Sequence, residues 1–374
     1  MPVSGIDGLN QLIAEARRAL SSDAVRHAVI GNESADLDSM ASALMYAFYL
    51  HSLQRDSVGV PIPLMNIPRQ DFALRRDVSY LFEKVGIDTR LLIFRDEIDL
   101  IDLQRRGRLQ ITLVDHNQLA RFQSAVSGSV LDIVDHHPDT GSFPGITKRL
   151  IEPVGSTATL VAEKILSECS DLLDQGLSFL LLGTIMADTA NLDSHAGIAA
   201  DKDRVIVNAL KNWCSETTDH LYVRLTELKT DLSGFNTNQI LRKDFKVQHS
   251  GAVQYGISSV PLSIQELAAG HHDWQASIAE FADRQCLDLY LVMLYQQRPR
   301  FKRQLIAYSK DKPLMDSSIA YLETHGIPLA LLTREGPRIE KDRLIRCYEQ
   351  INPESSRKIV LKSLQQYLQK GILI

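Results

Sequence analysis

The sequence lacks the short motifs that identify the common nucleotide and covalent chemistries. Among its 374 residues there is no Gly-Gly pair and no pair of glycines separated by a single residue. The G-x-G-x-x-G dinucleotide fingerprint is therefore missing, and no glycine run leads into the Lys-Ser or Lys-Thr of a P-loop. No G-x-S-x-G nucleophile elbow is present either. The sequence argues against Rossmann redox enzymes, P-loop nucleotide hydrolases and covalent serine hydrolases.

Cysteines and long apolar runs are also scarce. The four cysteines form no C-x-x-C pair and are too far apart for a thiolate zinc site or a disulfide framework, so we expect reduced thiols. The longest uncharged apolar stretch, around 179–187, is far shorter than the roughly 18 residues that span a bilayer. The N-terminal segment lacks the features of a secretory signal, and Asp7 and Glu15 argue against a transit peptide. We therefore expect a cytoplasmic protein with no membrane partner.

Charge is divided unevenly along the chain. The 41 Lys and Arg and 46 Asp and Glu give a net charge of −5, and we expect no stable nucleic-acid partner. Residues 231–374 have 19 basic and 15 acidic residues, whereas residues 1–230 have 22 and 31. One functional explanation is that the acidic half binds metal and the basic half binds an anion. Solvent-exposed surfaces also differ in net charge without any functional reason.

The length and the apolar pattern predict two α/β domains. From residue 25, short β-type runs alternate with helical patterns, which indicates a doubly wound, mainly parallel sheet. The apolar run LSFLLLGTIMA fits either a buried helix or a strand, and we favour a helix. The predicted boundaries are a first domain at 1–200, a helical linker at 201–232 and a second, smaller α/β domain at 233–374.

Acidic and imidazole side chains follow apolar runs in four places. They are the segment Asn32 to Asp38, which contains Asp36, then Asp115-His116-Asn117, Asp135-His136-His137 and Asp188. Each aspartate alone is more often a helix cap or turn residue than a ligand. In open α/β sheets, however, ligands bind outside the carboxyl ends of the strands, and so many carboxylates gathered there would repel one another strongly. Divalent cations would remove that repulsion, so the pattern predicts a two-metal phosphoryl-transfer centre with Mn²⁺ or Mg²⁺.

These motifs resemble those of a known family. N-E-S-A-D-L-D-S, D-H-N, D-H-H and the later aspartate are similar to the four N-terminal motifs of the DHH phosphoesterase superfamily. K-D-F-K at 243–246 and S-R-K at 356–358 resemble basic motifs of its DHHA2-type C-terminal domain. That branch contains family II inorganic pyrophosphatases, fungal-type cytosolic exopolyphosphatases and prune proteins. GNESADLDSMASA, LRRD and GSTATLV are closest to the exopolyphosphatase and prune subgroup.

The third motif favours one member of that subgroup. Prune proteins commonly have Asp-His-Arg where this chain has Asp135-His136-His137. The resemblance therefore implies an exopolyphosphatase that releases orthophosphate from the end of inorganic polyphosphate.

The resemblance implies two divalent cations, Mg²⁺ or Mn²⁺, with Co²⁺ as a further option. One cation would be held by Asp36, Asp115 and Asp188, and the other by Asp38, Asp115, His136 and Asp188. Water activated between them would attack the terminal phosphate. Asn32 stands at the outer edge of the site, where the pyrophosphatases usually have histidine. Since a carboxamide oxygen is a harder ligand than imidazole, Mg²⁺ is expected to support activity at least as well as Mn²⁺ or Co²⁺.

The resemblance also implies residues that contact the substrate. His137 would donate to the attacked or departing phosphate oxygen, Asn32 would lie beside the substrate, and His116 would occupy an equivalent place beside Asp115. Non-bridging oxygens would be bound from the second domain by Lys246, Arg357 and Lys358. A path for a long polyanion could be lined by Arg298, Arg300, Lys302 and Arg303, although charge that protects an exposed strand edge explains this group equally well.

Several alternatives stay open. A pyrophosphatase, or a prune-like short-chain polyphosphatase or nucleotide phosphodiesterase, would carry the same acidic motifs. Oligonucleotide-trimming members of the superfamily usually have a G-G-G-H motif, and this chain has no Gly-Gly pair. A binding or scaffold module with a decayed metal site would bind no stoichiometric metal. We expect a monomer, as in most fungal exopolyphosphatases, rather than the dimer of the pyrophosphatases.

Overall fold

The computed structural model describes residues 4–21, 25–53, 59–214, 219–296, 300–332 and 344–371. The chain forms two compact units, unit 1 at Met1–Asp231 and unit 2 at Leu232–Ile374. The predicted linker region forms helices whose buried side chains, such as Val207 and Leu225, belong to the core of unit 1. All but the last residue of the predicted linker are thus part of the first unit, because their apolar faces complete its core.

Unit 1 is built on a parallel sheet, as the alternation of strands and helices predicts. Its described strands are β1 (Arg26–Ile30), β2 (Pro61–Met65), β3 (Ile93–Phe94), β4 (Leu109–Val114), β5 (Val130–Asp135) and β6 (Lys148–Ile151). Their order is β3-β2-β1-β4-β5-β6, and all neighbouring pairs are parallel. The strand order reverses between β1 and β4, which makes this position the switch point of the doubly wound topology.

Helices surround this sheet and supply most of its core. The described helices of unit 1 are α1 (Gly5–Ala19), α2 (Leu37–Leu53), α3 (Arg76–Val85), α4 (Leu100–Arg105), α5 (Thr157–Glu168), α6 (Gln175–Asp188), α7 (Asp201–Leu210) and α8 (Asp219–Thr230). Residues 37–49 of α2 and 177–186 of α6 are buried around the whole helix. The run LSFLLLGTIMA is α6, so the preference for a helix over a strand is confirmed. It has no polar face because α1, α2, α3, α5, α7 and α8 surround it.

A buried histidine links the two strands at the switch point. His27 Nε2 on β1 lies 2.9 Å from Thr112 Oγ1 on β4. Burial, with a smaller contribution from the charge of Lys148, lowers the pKa of His27 to about 4. The unfolded chain therefore takes up a proton below about pH 6.5, whereas the folded protein does not until about pH 4.

We expect this difference to cost the folded state on the order of 3 kcal/mol as pH falls from 6.5 to 4. In His27→Gln the loss of unfolding free energy over this range should be smaller, because glutamine does not titrate. Urea unfolding at several pH values measures the effect, with the exposed His272→Gln as control. An identical pH profile for His27→Gln and the natural protein would contradict the assignment.

Unit 2 is the smaller α/β unit that the sequence predicts. Its described strands are β7 (Phe245–Ser250), β8 (Val253–Val260), β9 (Leu289–Gln296), β10 (Lys302–Ser309), β11 (Leu329–Leu331) and β12 (Leu344–Gln350). Their order is β11-β12-β10-β9-β8-β7, with β8 and β9 parallel and the other neighbours antiparallel. The described helices are α9 (Thr237–Lys243), α10 (Ile264–Gly270), α11 (Trp274–Arg284), α12 (Lys312–Thr324) and α13 (Arg357–Gly371).

Helices cover both faces of the second sheet. Alternate β9 side chains enter two separate cores: Tyr290 packs with α9, α10 and α11, and Leu291 packs with α12 and α13. The predicted fold class, two α/β units with a mainly parallel sheet in the first, is confirmed. Each helix in the described ranges of either unit is too short or too polar to span a bilayer.

Candidate metal centre

The segments that leave β1, β4 and β5 carry the acidic and imidazole side chains predicted from the sequence. Gly31 and Asn32 follow β1, Asp115 follows β4, and β5 ends at Asp135. Because the three strands are adjacent and parallel, their carboxyl ends meet at one edge of the sheet, beside the switch point. A Cβ atom at Gly31 would lie 2.4 Å from Ser39 Oγ, so glycine lets α2 pack directly against the end of β1.

Asp115 lies at the centre of this group. Its buried Oδ1 is 3.4 Å from His136 Nε2 and 3.7 Å from His137 Nδ1. Ligand atoms of these three residues all lie within 4.8 Å of one another. On the other side, Asn32 Nδ2 donates a hydrogen bond of 2.6 Å to Asp115 Oδ2. Asp115 therefore joins the segment after β1 to the segment after β5.

Asp38 enters the group from the first turn of α2. Its buried carboxylate accepts hydrogen bonds from the N-terminus of α5: Ser156 Oγ at 2.8 Å, Thr157 N at 2.7 Å and Ala158 N at 2.8 Å. Asp38 Oδ2 is also 3.9 Å from His136 Nε2. The positive end of α5 stabilises a carboxylate here, and the same carboxylate faces the His136 ring.

Asp36 and Asp188 reach the group from two helix ends. Asp36 Oδ1 accepts a hydrogen bond of 3.1 Å from Ser39 N at the start of α2, and Asp188 is the last residue of α6. Burial, together with the charges of Asp38 and Asp36, raises the pKa of Asp188 well above its ordinary value. The four predicted carboxylates are therefore close enough to influence one another, and Asp188 comes from a buried helix rather than a strand.

Positive charge would relieve the repulsion in this group. Burial raises the pKa of Asp115 well above its usual range, and the charges of Asp38 and Asp36 raise it further. Burial would lower the pKa of His136, but its contact with Asp115 and the charge of Asp38 outweigh burial and raise it. A group that attracts protons this strongly also attracts divalent cations, which compete for the same positions. Carboxylate oxygens with one or two imidazoles suit Mg²⁺ or Mn²⁺.

The ring of His136 is oriented as a metal ligand would be. Its Nδ1 lies 2.9 Å from the carbonyl oxygen of Val154. Since a carbonyl can only accept, the proton of the neutral ring is on Nδ1 and the lone pair is on Nε2. Nε2 faces Asp115 and Asp38, so it carries a proton when the ring is charged and offers a lone pair to a cation bound between these groups when the ring is neutral. A backbone carbonyl that fixes the tautomer in this way is a common support for ligating histidines.

Asp135 holds His137 in place. Asp135 Oδ1 is 2.9 Å from His137 Nδ1 and accepts a second hydrogen bond of 3.2 Å from the backbone N–H of His137. Asn117 Nδ2 donates to Asp135 Oδ2 at 2.5 Å. Burial would raise the pKa of Asp135, but the bonds from His137 and Asn117 outweigh it and lower the pKa. An ionised Asp135 therefore orients the partly exposed His137 ring through its Nδ1.

The His116 side chain is hydrogen-bonded to the backbone of β4. Its Nδ1 is 2.9 Å from the carbonyl oxygen of Val114, and its buried Nε2 has no hydrogen-bond partner among the described residues. Burial lowers the pKa of His116, so the ring is neutral, and the charges that act on it belong to Asp135 and His137. The structure thus places His116 beside the Asp135 and His137 pair, and its catalytic role stays a prediction.

Asn32 contacts the centre through its nitrogen. Its Oδ1 accepts hydrogen bonds from the backbone N–H groups of Ser34 (2.8 Å) and Ala35 (3.2 Å), which can only donate. This fixes the amide orientation and directs Nδ2 at Asp115. The Asn32 oxygen therefore already accepts two hydrogen bonds. The expectation that the site prefers a hard cation such as Mg²⁺ rests on the carboxylates instead.

Backbone strain concentrates in the same loops. Non-glycine residues with positive φ in the described ranges are Ala35, Asp115, Ala190, Asn191, Leu192 and Cys286. All except Cys286 lie in segments that carry a predicted ligand. Ala190, Asn191 and Leu192 lie in the loop that follows the helix ending at Asp188. Such conformations cost roughly 1–3 kcal/mol each and cluster at functional sites.

The basic motifs of unit 2 come together within that unit. Arg357 Nη1 donates to the carbonyl oxygen of Asp244 at 2.9 Å and also to the Asp244 carboxylate. The S-R-K motif at the start of α13 therefore contacts the K-D-F-K motif at the start of β7. Lys246 is partly exposed and Lys358 is exposed. Their contact with substrate stays a prediction.

Arg303 joins the same part of unit 2. Its Nη1 donates to the carbonyl oxygen of Ser355 at 3.1 Å, directly before the S-R-K motif, and burial lowers its pKa. Arg300 and Lys302 are exposed, and Arg298 lies outside the described residues. Arg303 thus differs from its basic neighbours because its guanidinium turns inward to support a loop.

The sequence did not identify the residues that hold the ligands in place. Ser156 and Thr157 donate hydrogen bonds to Asp38, although they lie 118 and 119 positions after it in the sequence. Arg75 of the LRRD segment donates to the carbonyl oxygens of Ser34 and Ala35, which fixes the loop after β1. The serine before a helical run signals a cap, but nothing in the sequence says which distant carboxylate it binds.

Comparisons with known proteins identify the family of the chain. The DHH family N-terminal domain model matches residues 26–184, and the DHHA2 domain model matches residues 223–367. Exopolyphosphatase PRUNE1 of Mus musculus is 32% identical over 364 residues, 96% of this chain and 79% of the mouse protein. A Schizosaccharomyces pombe protein named for exopolyphosphatase activity is 33% identical over 356 residues, 90% of this chain and 89% of its own.

More distant relatives share the fold. A manganese-dependent inorganic pyrophosphatase of Methanothrix thermoacetophila is 24% identical over 272 residues, 71% of this chain and 80% of its own. A Methanococcus jannaschii crystal structure described as a family II inorganic pyrophosphatase aligns with a TM-score of 0.59 at 19% identity, over 92% of this chain and 100% of that chain. The fold is that of the family II inorganic pyrophosphatases. The chain belongs to the DHH phosphoesterase family, in the branch with a DHHA2 domain, which confirms the resemblance seen in the motifs.

Proposed function

We propose that this protein is a metal-dependent exopolyphosphatase, which hydrolyses the terminal phosphoanhydride bond of inorganic polyphosphate and releases orthophosphate. The observation that carries the proposal is the position of Asp115, whose buried carboxylate lies beside His136, His137 and Asn32 at the switch point of the sheet. Relatives named exopolyphosphatase PRUNE1 and manganese-dependent pyrophosphatase support hydrolysis of a phosphoanhydride.

Two divalent cations are part of this proposal. We assign one to Asp36, Asp115 and Asp188, and the other to Asp38, Asp115, His136 and Asp188. Bound there, the cations would lower the pKa of a water molecule and neutralise charge on the phosphate that it attacks. The fit of the donor set supports the assignment, because the carboxylates attract positive charge and His136 Nε2, which faces them, can ligate a cation held there.

The side chains of the protein perform the remaining steps. Asp135 keeps the His137 ring in one orientation, so that His137 Nε2 can donate a proton or hydrogen bond to the departing phosphate oxygen. Asn32 keeps the Asp115 carboxylate turned toward His136. Lys246, Arg357 and Lys358, with Arg303 as their support, are proposed to bind non-bridging phosphate oxygens, Arg357 through a guanidinium that can engage two oxygens at once.

The substrate is tested by orthophosphate release with Mg²⁺ from long-chain polyphosphate, tripolyphosphate and pyrophosphate, with a short oligonucleotide as a phosphodiester control. The proposal predicts release from long chains and tripolyphosphate and little from the other two. Release mainly from pyrophosphate would assign the chain to pyrophosphatase activity instead. Absence of release from every substrate would overturn the enzyme proposal and favour a binding module.

We expect Mg²⁺ to support a kcat at least equal to that with Mn²⁺ or Co²⁺. The proposed ligands are mainly carboxylates with a single imidazole, and hard oxygen donors suit Mg²⁺. Initial rates on tripolyphosphate at saturating concentrations of each cation, after removal of bound metal, measure this order. Activity with Mn²⁺ and none with Mg²⁺ would contradict it.

We also propose that the protein is monomeric and cytoplasmic. Light scattering of the purified chain checks the monomer, and a mass of two chains would contradict it. Fractionation of cells checks the location.

A further inference from the structure

Asp203 is a buried carboxylate to which the two-cation proposal gives no role. It lies in the first turn of α7 and is fully buried. Its Oδ2 accepts hydrogen bonds from Ala200 N at 2.7 Å and Gly155 N at 2.8 Å, and its Oδ1 accepts one of 2.6 Å from Thr159 Oγ1. The bond to Ala200 caps α7, but the other two bonds reach a different part of unit 1.

Those two bonds hold both sides of the segment that binds Asp38. Gly155 precedes Ser156, and Thr159 follows Ala158 in the first turn of α5. Between these two anchors lie Ser156 Oγ, Thr157 N and Ala158 N, three of the four donors to the Asp38 carboxylate; the fourth is Ser42 Oγ, one turn along α2. Asp203 therefore binds the donor segment at its beginning and at its end.

The packing at Gly155 leaves this segment little freedom. A Cβ atom there would lie 2.4 Å from Thr189 Cγ2 and 2.9 Å from Asp203 Oδ2. Thr189 directly follows Asp188, so Gly155 packs against both the Asp203 carboxylate and the residue next to a proposed ligand. A shift of Gly155 would move the donors relative to two proposed ligands at once.

We propose that Asp203 is a positioning residue for the cation held by Asp38, acting through the Gly155 to Thr159 segment. This inference rests on the proposed two-cation function. In Asp203→Asn one oxygen becomes an NH₂ group, which can only donate. Whichever way the amide turns, the NH₂ faces either the hydroxyl of Thr159 or the backbone N–H groups of Gly155 and Ala200. Toward Thr159 the NH₂ makes the hydroxyl accept instead of donate, and toward Gly155 and Ala200 it sets donor against donor, so either arrangement weakens the bonds that hold the segment. Changes to such supporting groups typically cost 10–100-fold in metal affinity.

The test is a calorimetric titration of metal-stripped Asp203→Asn with Mn²⁺, a readout that does not depend on catalysis. We expect the dissociation constant of one of the two cations to rise about 10–100-fold. Asp201→Asn is the matched control, since it removes the same charge from an exposed position on the same helix and should bind Mn²⁺ like the natural protein. Thr159→Val, which deletes the hydrogen bond to Oδ1 alone, should weaken binding several-fold even if Asp203→Asn does not fold.

A double-mutant cycle with Asp38 distinguishes a positioning role of Asp203 from a purely structural one. In the background of Asp38→Asn, Asp203→Asn should change Mn²⁺ affinity by less than about twofold, because the route through Asp38 is already lost. Thermal unfolding of the metal-stripped variants measures stability independently. Lower stability with unchanged Mn²⁺ affinity, in both Asp203→Asn and Thr159→Val, would overturn the inference and leave Asp203 as a helix cap. If the natural protein itself bound no Mn²⁺, the proposed function would fail, and this inference with it.

Discussion

Asp115→Asn is expected to lower kcat for phosphate release from tripolyphosphate by about a thousandfold or more. Asp115 is, with Asp188, one of the two residues proposed to contact both cations, and loss of several kcal/mol of transition-state stabilisation corresponds to such a factor. The same substitution should stabilise the metal-stripped protein, because burial and the charges of Asp38 and Asp36 disfavour an ionised carboxylate at this position. Steady-state kinetics and thermal unfolding after chelation measure the two effects.

Asp132→Asn is the matched control for this prediction. Asp132 is another carboxylate of the β5 segment whose pKa burial raises, but it accepts a hydrogen bond of 2.7 Å from Tyr46 Oη and has no place in the proposed centre. We expect its kcat to stay within about threefold of the natural value, since an amide oxygen still accepts that bond. Equal losses in the two variants, or full activity of Asp115→Asn, would refute the central role of Asp115.

His137→Asn is expected to lower kcat by about a hundredfold, the size typical of losing one proton-transfer group, without changing the number of bound cations. The ring is positioned by Asp135 and lies 3.7 Å from Asp115 Oδ1, so it borders the cluster. The measurement pairs kcat with a count of Mn²⁺ per chain. The exposed His272→Asn controls for the loss of an imidazole.

The count of cations decides between two roles for His137. Its Nδ1 lies close enough to Asp115 and His136 to form part of a ligand group. If His137→Asn loses one Mn²⁺ per chain, His137 is a ligand and not the group that contacts the leaving phosphate. Unchanged kcat would remove it from the mechanism.

The sequence predicts the fold of unit 1 because the signals for it are local. β-branched runs such as LQITLV mark strands, and the acidic residues that follow them mark the carboxyl edge of the sheet, where Asp115 and Asp135 are found. The alternation of strands and helices then gives a doubly wound sheet. Helix α6 could be assigned from its length and its leucine content, although its period is uninformative because neighbours cover every side.

The residues that the sequence did not reveal depend on contacts between distant segments. Asp203 sits in helix α7, whose polar sequence suggested a linker, and its partner Gly155 is 48 positions away. The orientation of Asn32 depends on which local N–H groups occupy its oxygen, and that is set by the left-handed turn at Ala35. Similarly, the proposed path of basic residues separates in the structure, because Arg303 turns inward to Ser355 while Lys302 stays exposed.

The number of cations that the metal-stripped natural protein binds, measured by equilibrium dialysis with Mn²⁺, tests the central claim most directly. The two-cation centre predicts two Mn²⁺ per chain, with at most one retained by Asp115→Asn. A natural protein that binds no Mn²⁺ at concentrations that saturate activity, or that binds two which Asp115→Asn retains, would contradict the claim that these carboxylates form a metal centre.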